Sequence, residues 1–149
     1  MIKQQLQDDV KAAMLSGDSA RVETLRGLKS VILYAEVAAG KREEGLGDEE
    51  IQVLFAKEAK KRQESADLYV QGGAPDRAQK ELSEKAIIET YLPVQLSEAE
   101  ILAIIEDVIA TQGATGLQAI GSVIGAVKQR TGSTADGSVI ARLAKEKLR

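Results

Sequence analysis

Histidine, cysteine and tryptophan are all absent from this 149-residue chain, and proline occurs only twice. Without cysteine there can be neither a disulfide framework nor a thiolate zinc site. Without histidine the chain lacks the commonest general base near neutral pH and the commonest metal ligand. The composition therefore predicts no metal and no cofactor. One Phe and three Tyr (Tyr34, Tyr69 and Tyr91) are too few for a platform that stacks unpaired bases. No apolar run approaches the ~20 residues of a membrane-spanning helix. The opening "MIKQQLQDDVKAAML" carries charges throughout, unlike a signal peptide. A cytoplasmic protein with no membrane partner is the expectation.

What remains is rich in Ala, Leu, Glu, Lys and Gln, with 44% apolar and 29% charged residues, and no stretch alternates with a period of two. This predicts an all-α fold. Ile2, Leu6, Val10 and Met14 recur at four-residue steps, and "SGD" ends that first helix. Asp18 or Ser19 can cap a second helix, in which Leu25, Leu28, Ile32 and Ala35 recur. "GKREEGLGD" reads as a loop with Asp48 as the next N-cap, and the third helix runs to about Gln71. "GGAPD" turns into a fourth helix, with Pro75 in its first turn. Pro93 disfavours helix at Leu92, while "SEAE" from Ser97 to Glu100 is a capping box that opens a fifth. Two short helices follow, the last capped by Asp136. A four-helix N-terminal part, 1–93, is thus expected to join at Pro93 to a three-helix C-terminal bundle, 94–149.

Several charges fall on faces that periodicity assigns to the core. Glu58 and Arg62 share a face with Ile51, Leu54 and Phe55, and Glu89 shares one with Ala78, Leu82 and Ala86. Lys29 and Glu36 sit beside Leu25 and Ile32. A buried charge without a partner costs several kcal/mol. A salt-bridge network of Glu58, Arg62 and Glu89 between antiparallel helices is the expected solution, with a polar ligand pocket as the alternative.

The segment "GSVIGAVKQRTGSTADGSVI" invites a phosphate-binding reading. A Walker-type loop needs G-x-x-x-x-G-K-[ST] after a strand. Here Gly121 and Gly125 are four apart, no Lys-Ser or Lys-Thr follows, and no strand precedes. Helical rotation instead gives an apolar face of Leu117, Ile120, Ile124 and Val127, with the two glycines along its edge as small residues that let another helix come close.

Charge is the other signal. The net charge is −3, yet from Lys128 onward six basic residues (Lys128, Arg130, Arg142, Lys145, Lys147, Arg149) face two acidic ones (Asp136, Glu146). Arg142, Lys145 and Arg149 form a stripe on the last helix, set apart from apolar Val139, Ile140 and Leu143. Phosphate contacts by Lys and Arg supply most sequence-independent nucleic-acid affinity. Lys128, Arg130, Arg142, Lys145 and Arg149 are the candidate RNA-binding residues, reading backbone and shape rather than bases.

"SARVETLRGLKSVI", "KEAKKRQESADLY", "IIETYLPVQLSEAEI" and "GSVIGAVKQRTGSTADGSVIARLAKEKL" together resemble the YqeY family, the GatB/YqeY domain proteins. The resemblance covers nearly the whole chain. It implies a C-terminal part similar to the tail domain of the B subunit of tRNA-dependent amidotransferase, where the tail helps to hold tRNA. It further implies a tRNA-binding accessory protein associated with a glutamine-dependent carbon–nitrogen ligase, with tRNA or an amidotransferase subunit as partner. Releasing ammonia from glutamine needs a Cys thiolate or a Ser with a Lys relay. Cysteine is missing and no Gly-Ser-Ser run accompanies a Lys. Association with such an enzyme is expected, rather than catalysis by this chain alone. A helical protein–protein interaction module without an RNA role is the alternative.

Overall fold

Glycines and short polar side chains set many of the helix limits in the computed structural model, which describes residues 1–149. The fold is all-α, with no strand: α1 (Ile2–Ser16), α2 (Ser19–Ala38), α3 (Asp48–Gln71), α4 (Pro75–Glu89), α5 (Glu98–Gln112), α6 (Ile120–Thr131) and α7 (Gly137–Leu148). Gly17 closes α1 in the left-handed region at φ 76°, where a side chain would be strained. The Asp18 carboxylate then accepts the Arg21 amide at 3.1 Å and starts α2. Ser97 and Glu100 form the reciprocal box at the head of α5, and Asp136 accepts the Ser138 amide at 2.9 Å to open α7. Asp48 is not the cap expected of it. Gly47 holds that position and donates its amide to Glu50 at 3.1 Å. The Asp48 carboxylate turns instead to α1, where it accepts the Ile2 amide at 3.1 Å.

The chain packs as two compact units, Met1–Leu92 and Pro93–Arg149, each with its own apolar core. In the first, Leu6, Leu25, Leu28, Ile32, Ile51, Phe55 and Ile88 meet at the centre. Phe55 and Tyr91 stack edge to face with ring centroids 5.8 Å apart, a preferred aromatic geometry. The Tyr91 hydroxyl donates to Asp9 on α1. On α1 the buried row is Ile2, Leu6, Val10 and Ala13, so Met14, expected in that row, is exposed. A turn of 3.6 residues cannot sustain four-residue steps, and the row slips back by one. The distal part of α3 and α4 meets through Ala59, Ala66 and Ala78, whose small side chains let the two backbones approach.

In the second unit Ile101, Ile105, Val108, Val123, Val127, Ile140, Leu143, Ala144 and Leu148 form the core of α5, α6 and α7. The Leu96 amide donates to the Thr134 carbonyl at 2.8 Å, tying the segment before α5 to the turn before α7. Gly121 and Gly125 do not mediate close packing. A Cβ built on either meets no atom within 4 Å. Val123 and Val127 turn inward in their place, which rotates the glycine edge of α6 to the outside. No helix is long and apolar enough to cross a membrane.

Candidate nucleic-acid interface

The last turn of α6 carries Lys128 and Arg130, where the helix dipole favours cations. α7 carries Arg142 and Lys145, and Arg149 is its C-cap residue. All five candidate residues are exposed. They are not equivalent. Arg130 donates to Asp107 at 2.6 Å, and Arg142 donates to Glu98 at 2.5 Å and lies 3.6 Å from Glu146. Lys147 pairs with Glu106 at 2.9 Å. Three of these acids, Glu98, Glu106 and Asp107, lie on α5 and hold cations of α6 and α7. Lys128, Lys145 and Arg149 make no ion pair.

Lys128 crosses the head of α7. A Cβ on Gly137 would lie 3.3 Å from its Cε and 3.5 Å from its Nζ, so this small residue makes room for the lysine. Gly121, Gly125 and Lys128 follow at steps of four and three along one exposed side of α6. The result is a bare stretch of helical backbone ending in an unpaired ammonium. Beside that ammonium, at the head of α7, the Ser138 hydroxyl donates to the Asp136 carboxylate at 3.0 Å. The pairing of α5 with the basic residues was not readable from sequence. Only the fold brings Glu98, Glu106 and Asp107 beside cations 23 to 44 positions away.

The charged residues between α3 and α4 take partners other than those expected. Arg62 lies 3.3 Å from Glu81 and 3.5 Å from Glu84. Glu58 pairs with Lys61 at 3.3 Å and Glu89 with Lys85 at 3.5 Å, each on its own helix. The antiparallel register fixes this. Gln63 accepts from Lys85 at 2.9 Å, which sets Arg62 against the middle turns of α4 and about one turn short of Glu89. Glu58, Arg62 and Glu89 therefore belong to a charged seam, but not to one network. The Arg62 Nε is buried there without a hydrogen-bond partner.

Of the two charges noted beside the α2 core, Lys29 is exposed and Glu36 is buried. The Glu36 carboxylate accepts the Lys3 ammonium and the Leu46 amide, and these hydrogen bonds, the Lys3 one foremost, hold its pKa below the ordinary glutamate value. Burial, aided by the hydrogen bond to Asp9, pushes the Tyr91 phenol above its usual range. Both groups fasten helices together. No three carboxylates converge where they could hold a metal ion.

Comparison with known proteins places this geometry in a family. The chain is 31% identical over 118 residues to altered inheritance of mitochondria protein 41, mitochondrial, of Eremothecium gossypii, a match over 75% of this chain and 63% of that protein. The protein of the same name from Lachancea thermotolerans is 34% identical over 107 residues, 70% of this chain and 56% of its own length. The chain thus spans about three-fifths of the curated relatives it matches. These relatives are named as mitochondrial proteins, which overturns the cytoplasmic expectation drawn from the sequence. The Yqey-like protein family matches from residue 3 to residue 148, so the chain belongs to the YqeY-like family.

Proposed function

We propose that this protein is a tRNA-binding accessory protein whose C-terminal unit, 94–149, grips the RNA backbone in the manner of the amidotransferase tail it resembles. The observation that carries this reading is the set of exposed, unpaired cations at Lys128, Lys145 and Arg149. A cation already held by a carboxylate gains less from a phosphate than one facing water alone. Lys128 supplies the contact next to the bare edge of α6, and Lys145 and Arg149 supply contacts along α7. Arg130 and Arg142 join by exchanging Asp107 and Glu98 for phosphate oxygens. Pro93 joins this unit to the four-helix unit 1–93, and each unit is a domain in its own right. The role is one of presentation, holding the tRNA while an associated glutamine-dependent carbon–nitrogen ligase acts on it.

The test is tRNA binding by fluorescence anisotropy in low salt. Neutralising Lys128, Lys145 and Arg149 together to Gln lowers affinity at least about tenfold, and neutralising Arg130 and Arg142 alone lowers it less. Unchanged affinity in the triple variant, with its helical circular dichroism intact, overturns the assignment. The alternative reading as a helical interaction module draws on a different surface, the outward face of α2.

A further inference from the structure

The outward face of α2 is uncovered from Gly27 to Val37 and carries no charge between those two residues, with Glu23 and Arg26 exposed just ahead of it. Tyr34 is 75% exposed, Val37 55% and Leu33 42%, and Ser30 and Gly27 share the same side of the helix. Lys29 points elsewhere, and Glu36 is buried on the opposite side. Gly27 is the odd residue. It sits inside a 20-residue helix, a costly place for glycine, and a Cβ there would meet no atom within 4 Å. Nothing within the chain requires this position to be bare. An external group that comes close to the α2 backbone would.

We infer that α2 pairs with the α2 of a second copy of this chain, antiparallel about a two-fold axis beside Ser30. The strip carries both halves of the contact. Gly27 lies three residues before Ser30 and Tyr34 four residues after it, on the same flank of the helix. The two-fold therefore sets each Tyr34 ring on the partner copy's open Gly27, and the contact is made twice, as an isologous interface demands. Leu33 and Val37 lie on the other flank and pack against the aliphatic stem of the partner copy's Arg26. A different partner would have to supply a hollow for Tyr34 and a projection for Gly27 at the same spacing; this chain already has both.

Because the chain has no cysteine, a single introduced thiol reports on the geometry without interference. Ser30→Cys lies at the axis, so mild oxidation converts it to a disulfide-linked dimer. Ser83→Cys, exposed on α4, does not cross-link. By sedimentation over a concentration series the full chain forms a dimer. Tyr34→Glu weakens that dimer by roughly thirtyfold or more while leaving the helical circular dichroism unchanged. Gly27→Leu fills the hollow without adding a charge, and it weakens the dimer in the same way if Tyr34→Glu does not fold. A monomer at every concentration overturns the inference, including the case in which only a different protein is found on this face. A dimer that survives both substitutions, or that leaves Ser30→Cys reduced, overturns it equally.

Discussion

The Glu36 carboxylate accepts the Leu46 amide at 2.8 Å while also holding the Lys3 ammonium, so one buried acid joins α1, α2 and the loop ahead of α3. Its folded pKa is depressed, so the contribution to stability is present in full above the ordinary glutamate value of ~4.3. It is lost as pH falls below that value and through the lower folded one. Glu36→Gln should lower the melting temperature at pH 7 and flatten the fall in stability below about pH 4.3. Thermal melts of both chains between neutral and acidic pH measure this. Parallel acid limbs in the two chains would show that Glu36 is not the group responsible.

Gly125→Ala should raise stability by about 0.5–1 kcal/mol, and Gly121→Ala in the first turn of α6 by less, because alanine suits a helix better and the added methyl group meets nothing. Chemical denaturation measures the change. A loss of stability would mean that the glycine edge is packed after all. Any fall in tRNA affinity in these stabilised variants would isolate the close approach of RNA from effects on folding.

Arg62→Ala should cost about 1 kcal/mol, the upper end for a partly exposed pair. The substitution leaves Glu81 and Glu84 facing each other with no cation between them. Glu58→Gln and Glu89→Gln should each change stability by less than about 0.5 kcal/mol, since each loses one lysine on its own helix. Equal losses in all three variants would restore the single network that the sequence suggested.

Local signals were legible in the sequence and relations between helices were not. Asp18, the Ser97–Glu100 box and Asp136 begin helices as their chemistry requires, because capping depends on atoms two or three residues away. Periodicity found the buried faces of α2 and α7, yet it misplaced Met14 where a strict four-residue step outran the helical turn. The reading failed where the answer lay on another helix. The glycines of α6 sit at a spacing that suits close packing, but the valines beside them bury more surface and set the rotation. Likewise Arg62 shares a face with Glu58 on α3, while the register of α4 decides which acids it meets. The basic stripe of α7 is visible in the sequence. That α5 neutralises part of it is not.

That last arrangement alters how salt would act on the RNA contact proposed above. Asp107, Glu98 and Glu106 serve Arg130, Arg142 and Lys147 as tethered counter-ions. A phosphate arriving at those three side chains has to displace a carboxylate of the protein, so it gains less there than at Lys128, Lys145 and Arg149. If those three residues alone neutralise phosphates, the logarithm of affinity against the logarithm of salt falls with a slope of about −2 to −3 rather than twice that. On that proposal the chain would hold nucleic acid with modest strength and release it more gradually as ionic strength rises than a surface with six free cations.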